Sequence, residues 1–428
     1  MQKMTINRSI APKFHLVEKL NFPEYEILPI NSSTSLYSLK AGTQPVIRLD
    51  LVFEAGLTQQ LKSAEASFAA SMLSEGTSLL NAKTLAESLD YFGSYFQTRS
   101  NPDDAVATLY CLEKHLRNCL PLFIQAITDS IFPEKELDIQ KKNSLQKLLV
   151  SEKKNNYLCR KAFYKTVLGE THPYASFSNK EDIQQINRDS LVNFYQQNYL
   201  AGLKYALLSG SFSDATKAII QEGLNQSGLK KHSGKTNFIG AEPNIGKHFI
   251  EKNDSVQSAI RIGKVSIPRS HDDFRKLQFL NLIFGGYFGS RLMKNIREDK
   301  GLTYGIYSVL EPFQKASVWY IDSEINTKNR EQGITEIYKE LKNIRESLIP
   351  IEEFETARNY YLGSFLRGLD GPFSLADRLK IIIDNNLPNS YYPDFVSILN
   401  RTNPKELQEL ANKYFTEENI VEVVVGKK

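Results

Sequence analysis

The stretch GGYFGSRLMKNIREDKGLTYGIY, Gly285 to Tyr307, decides how the rest of the chain is read. It gives a helix over Ser290–Arg297, stopped at Gly301, with Tyr304 opening a strand that runs to Leu310. The glycine-rich opening invites comparison with a phosphate loop. It lacks the Lys-Ser/Thr that would follow and the strand that would precede, so it marks close approach of two backbones at a helix junction.

Working outward, the second half reads as strands His248–Glu251 and Ser258–Val265, a helix Asp273–Phe284 and the segment above. A strand Ser317–Ser323 follows, then helices Arg330–Ser347, Ile351–Gly368, Ser374–Asn385 and Pro404–Phe415, then a strand Val421–Val425. The first half has the same order. Ile47, Leu49, Leu51 and Phe53 alternate along a strand that ends at Ala55-Gly56. Helices carrying Ala66–Leu73 and Lys83–Phe92 lead to strands Tyr95–Thr98 and Ala105–Cys111, joined by a turn at Asn101–Asp104. Helices Leu116–Ser130, Glu134–Lys154, Tyr157–Leu168 and Asp189–Asn198 precede a strand Lys204–Ser209. Asn198-Tyr199 to Gly210 resembles Lys413-Tyr414 to Gly426, 216 residues later, which is half the chain. A period of that length points to a duplicated domain and not to a solenoid. Residues 226–247, rich in Gly, Lys, Ser and Asn, read as a linker between domains at 1–225 and 248–428. Antiparallel strand pairs alternating with helix pairs give an α+β layer architecture in each half.

Composition sets the outer bounds. The chain has 428 residues, 41% hydrophobic and 24% charged, as soluble two-domain proteins do. A net charge of +4 and the lack of any long Lys/Arg block argue against a nucleic-acid partner. No run approaches the roughly 18 apolar residues of a membrane span. The opening MQKMTINRSIAPKFHL has no apolar core of the kind a secretory signal needs, so the expected location is cytoplasmic, or periplasmic if a signal has been removed. Cys111, Cys119 and Cys159 form no C-x-x-C pair and read as free thiols. Of the six histidines (15, 115, 172, 232, 248 and 271), no two stand four apart, so none suggests a metal pair.

Three stretches resemble the pitrilysin family of zinc peptidases, which includes the mitochondrial processing peptidase and insulin-degrading enzyme. They are Phe53–Gly56 through Met72–Thr77, the segment Gly169–Tyr174, and Gly285–Tyr307 with its Ser-Arg-Leu and R-E-x-x-G-L-x-Y. The resemblance implies two tandem homologous domains of the LuxS/MPP-like metallohydrolase type, each a mainly antiparallel sheet covered by helices. In active members the first helix carries H-x-x-E-H, whose histidines bind zinc and whose Glu acts on the bound water. Matching Met72-Leu73 and Gly76-Thr77 places Ser67, Ala70 and Ser71 at those three positions, and Lys147 at that of the third ligand, a Glu. Serine and alanine cannot replace imidazole, alanine is no base, and a lysine cation opposes a metal. No cofactor is therefore expected in this chain, and no activity alone.

The resemblance also matches Arg297 and Tyr304 to an Arg/Tyr pair that the family's second half contributes to the zinc site. A guanidinium and a phenol are fixed donors able to hold a carbonyl as it becomes an oxyanion. An arginine in a last helical turn also suits the helix dipole without any such role, and Arg291 reads as an ion-pair partner. Missing ligands beside an intact Arg/Tyr pair resemble the non-catalytic subunits of heterodimeric family members. The expectation is a supporting subunit beside a zinc-bearing partner, acting on extended unfolded peptides. A peptide-binding homodimer and a structural or assembly subunit are the other readings.

Overall fold

In the computed structural model, residue 17 and residues 20–231 and 240–428 are described. His15, His232, the N-terminal opening and the middle of the expected linker lie outside them.

The first sheet is built from β1 (Glu26–Pro29), β2 (Ser35–Lys40), β3 (Val46–Phe53), β4 (Tyr95–Ser100), β5 (Ala105–Leu112) and β6 (Leu203–Gly210). Its helices are α1 (Glu65–Met72), α2 (Ala82–Asp90), α3 (Leu116–Thr128), α4 (Glu134–Ser151), α5 (Asn155–Leu168), α6 (Lys180–Gln185), α7 (Arg188–Tyr195) and α8 (Asp214–Gln226). The second sheet takes β7 (Gly246–Glu251), β8 (Gln257–Ser266), β9 (Thr303–Pro312), β10 (Ser317–Asn326) and β11 (Val421–Gly426). With it come α9 (Phe274–Asn281), α10 (Arg330–Glu346), α11 (Ile351–Arg367), α12 (Pro372–Asp384), α13 (Pro393–Arg401) and α14 (Pro404–Tyr414). Strand order is β1-β2-β6-β3-β5-β4 in one sheet and β7-β11-β8-β10-β9 in the other. Apart from the extra β1 the two orders correspond strand for strand. In each sheet a single parallel pair, β2 with β6 and β7 with β11, sits among antiparallel neighbours. The fold is α+β with two tandem sheets, as the duplicated pattern implies.

The matched glycines that close the halves have a shared cause. A Cβ on Gly210 would lie 2.2 Å from the Val46 carbonyl, and one on Gly426 would lie 2.3 Å from the Ser258 hydroxyl. Only glycine lets each last strand run this close to its neighbour.

Strand β3 shows how the layers are stacked. Ile47, Leu49, Leu51 and Phe53 enter the main core of the first half with Phe68, Met72 and Phe123. Alternation sends Arg48, Asp50 and Val52 to the other face, and there α12 from the second half covers them: Ala376 and Leu379 pack with Val52 and Leu207. Arg48 donates to Asp50 at 2.8 Å and to Asp377 of α12 at 2.5 Å. The second sheet is the mirror of this. Ile260 and Ile262 face its own core, whereas Ala259 faces α5 from the first half, packed with Phe163 and Val423. Arg261 pairs there with Asp322 at 2.9 Å. Each sheet thus has its second face covered by a helix from the other half.

The hairpin turns meet at the same junction. The Asp103 carboxylate, in the β4–β5 turn, accepts from the Tyr174 hydroxyl and from the Gln314 backbone in the β9–β10 turn, the latter at 3.1 Å. Burial raises the Asp103 pKa, and these two donors oppose the rise. His172 is buried, and its Nδ1 accepts from the Tyr174 backbone at 3.1 Å. The segment Gly169–Tyr174 is therefore a fastening between the two halves.

The sequence-based helix over Asp273–Phe284 splits into α9 and a wider π turn, Leu282–Gly286, and a second π segment spans Met293–Asp299. Strands β1 and β2 and helices α6, α8 and α13 are elements that periodicity did not supply.

Because α12 belongs to one half and covers the other, Leu379→Ala should weaken both at once. The expected loss is about 2–5 kcal/mol. Trp319, the chain's one tryptophan, lies in the second core and not against Leu379. Its fluorescence midpoint in denaturant should shift together with far-UV circular dichroism. A Trp319 transition that stays in place while the dichroism shifts would show that the halves unfold separately.

Candidate functional site

Helix α1 begins after Ala64, a non-glycine residue at φ 79°, and Glu65 caps the turn before it by accepting from the Leu61 and Lys62 backbones at 3.2 and 3.1 Å. Phe68, Ala69 and Met72 hold the helix to the core. Ser67, Ala70 and Ser71 stand at i, i+3 and i+4, so they share one face, as ligands would. Neither offers an imidazole, and each hydroxyl turns back on its own helix: Ser67 donates to the Ala64 carbonyl and Ser71 to the Phe68 carbonyl, each at 3.0 Å. Ala70 is buried, and its carbonyl accepts from Thr98 at 2.6 Å, which fastens α1 to edge strand β4. Lys147 is exposed on α4, which packs against α1. Among the described residues no group of three or more His, Cys, Asp or Glu side chains converges as a metal site would require. These donors do not fit zinc, in keeping with a zinc-free chain. The cysteines are buried and free, and burial pushes the Cys111 thiol up to about 12, so no thiolate nucleophile forms there.

The structure brings Arg297 and Tyr304 together. Leu292, Met293 and Ile296 are buried and anchor the π segment, which leaves Arg297 at the rim. Gly301, at φ 63°, reverses the chain toward β9. Arg297 Nε donates to the Tyr304 carbonyl at 3.1 Å, and its guanidinium lies 4.6 Å from the Phe288 ring centre. Asn295 ties the segment to α10 through Glu340 at 2.8 Å. Tyr304 is 92% exposed on β9, the edge strand of its sheet. The pairing with β10 slips between Ser323 and Ile325, a bulge that places one extra residue in β9 just at Tyr304. The guanidinium is thus held by one nitrogen and one aromatic face. Its two Nη groups are left for other acceptors, with Glu298 a loose neighbour at 3.8 Å. Phe288, exposed and stacked on Arg297, escaped the sequence reading; the only signal was an aromatic in a glycine-rich turn. Arg291 is an ion-pair residue, bonded to both oxygens of Glu353 at 2.8 and 3.0 Å.

Residues 185–361 match a family model described as the Peptidase M16 inactive domain. The zinc protease YmxG of Bacillus subtilis, named as uncharacterized, is 22% identical over 81% of this chain and 84% of its own. A Helicobacter pylori protein named non-peptidase homolog YmxG is 24% identical over 75% of each chain. The chain is similar to inactive M16 homologues over most of its length. It is an inactive M16 homologue of the pitrilysin type. The crystal structure of a peptidase M16 inactive domain from Pseudomonas fluorescens has the same fold, with a TM-score of 0.87 at 24% identity, over 94% of this chain and 98% of that one. Among the described residues no helix is long and apolar enough to cross a membrane.

Elemental analysis of the purified protein should find zinc well below one per chain. The triple variant Ser67→His, Ala70→Glu, Ser71→His should also fail to take up zinc tightly, since Lys147 still occupies the third position. One zinc per wild-type chain would overturn this reading of the α1 residues.

Proposed function

We propose that this chain is the zinc-free subunit of a heterodimeric M16 metallopeptidase that degrades or processes unfolded peptides. In this reading Arg297 and Tyr304 act in the active site of a zinc-bearing partner. The observation that carries it is the state of Tyr304: nearly wholly exposed, yet fixed through its carbonyl to Arg297. A tyrosine kept only for packing would be buried.

The partner's zinc would supply the activated water. What this chain's residues would do follows from their chemistry. As the scissile carbonyl gains negative charge, the Tyr304 hydroxyl and the free Nη groups of Arg297 donate to it, and such preorganised donors stabilise the transition state more than the ground state. The carbonyl bond to Arg297 Nε limits the motion of both groups and so their cost of ordering. The peptide is taken to bind as an added strand, and the unpaired edge of β4, fastened beside α1 through Thr98, supports that mode. Three free thiols suit a cytoplasmic location.

With this chain as bait, a pull-down from source cells should yield chelator-sensitive cleavage of a quenched unfolded peptide, absent from the bait alone. In the reconstituted complex Tyr304→Phe should lower kcat about a hundredfold with KM little changed. Equal loss in both terms, or none, would remove the transition-state role. Peptide binding by the isolated chain, with no zinc-bearing partner captured, would favour a peptide-binding homodimer.

A further inference from the structure

Helices α9, α11, α12 and the start of α13, with Arg269 just before α9, line a half-open cavity of about 180 Å³ in the second half. Three arginines from three segments line it, Arg269, Arg275 and Arg378, with no Asp or Glu among the described lining residues. None of the three, each partly exposed, forms an ion pair among the described residues, whereas the buried Arg48 and Arg261 do, with Asp50 and Asp322.

Aromatic rings account for part of this. The Arg275 guanidinium lies 3.8 Å from the Tyr391 ring centre, and that of Arg378 lies 5.8 Å from the Tyr392 ring. Stacking uses the flat face of a guanidinium and leaves its N–H groups in the plane unanswered. Arg275 Nη1 is buried and has no hydrogen-bond partner. The Tyr392 hydroxyl is in the same state on a residue only 3% exposed. Arg378 donates from Nε to the Gly368 carbonyl over a long 3.4 Å. A Cβ on Gly368 would stand 2.6 Å from Arg378 Nη2, so the glycine leaves the guanidinium its room. Buried donors without acceptors and like charges without counter-charge both cost stability. One small anion would relieve both.

We propose that this cavity binds a phosphate-type dianion, either inorganic phosphate or the phosphoryl group of a small phosphate monoester. Guanidinium forks match tetrahedral oxyanions in geometry, and charge-assisted bonds to them are short and strong. The buried Nη1 of Arg275 and hydroxyl of Tyr392 supply fixed donors beside the charge. The site is independent of the peptidase reading.

Calorimetry and thermal melts of the full chain at low salt, with inorganic phosphate and with glycerol 3-phosphate, test it. Wild type should bind one anion, and its Tm should climb with concentration as mass action requires. Arg275→Gln should weaken binding about tenfold or more. Gln278 also lines the cavity, and Gln278→Glu would place a carboxylate among the arginines. That variant should lose anion binding while melting, without phosphate, at or above the wild-type temperature, which separates lost binding from lost folding. Equal affinity for the two anions supports free phosphate as the ligand, and preference for the monoester supports a phosphorylated small molecule. No saturable binding of either by the wild type at millimolar concentration, or equal binding by Gln278→Glu, would overturn the proposal.

Discussion

The exchange of helices between the halves is the constraint on which the rest of the molecule depends. A sheet buried on one face still exposes apolar side chains on the other, and each sheet here resolves that with a helix from its counterpart. Phe163 and Cys159 of α5 lie under Val423 and Tyr320, and Leu379 of α12 lies under Leu207. The buried arginines mark the same symmetry: Arg48 bonded to Asp50 and Asp377 beneath α12, Arg261 bonded to Asp322 beneath α5. A lone charge at either place would be expensive, and its partner makes the packing specific to one helix in one register. Tyr174 and Asp103 then lock the hairpin turns of both sheets to one another. The two edge strands β4 and β9 are thereby held in a fixed relation, which any site drawing on both edges needs.

Much of this was legible in the residues. Strand β3 and the hairpins β4–β5 and β9–β10 follow from alternation, and the half-chain duplication from the repeat of Tyr199–Gly210 as Tyr414–Gly426. The helix exchange was not. The apolar residues of α5 say that it covers something, and no local pattern says that the thing covered is the sheet of the other half. Helix α13 was hidden behind the aromatic run Tyr391-Tyr392, although Pro393 at its first position is a start signal. The π segment under Arg297 leaves no mark in a sequence read at 3.6 residues per turn.

The same division holds for the candidate site. Ser67, Ala70, Ser71 and Lys147 could be picked out only because nearby motifs resemble those of an active family, and Arg297 and Tyr304 because their one short segment does. The contact of Phe288 with Arg297 depends on how two turns fold back. Arg269, Arg275 and Arg378 are spread over more than a hundred residues and meet only because α9, α11 and α12 pack side by side. Spacing reveals sites built on one element, and it is blind to those built between elements.

Helix α1 needs no metal to hold its place. Its stability comes from Phe68, Ala69 and Met72 in the core and from the Thr98 bond to the Ala70 carbonyl, none of which involves a metal. Ser67 and Ser71 bond their hydroxyls to carbonyls of the same helical face. A structural zinc contributes to folding and cannot be dropped in this way, whereas a catalytic zinc on the exposed face of a packed helix can be. The Arg297–Tyr304 segment is different. Its exposed tyrosine and half-free guanidinium add nothing to a core, and Phe288 beside them exposes apolar surface to water. Folding alone gives no reason for that arrangement, and the proposed role beside a partner chain rests on this contrast with α1.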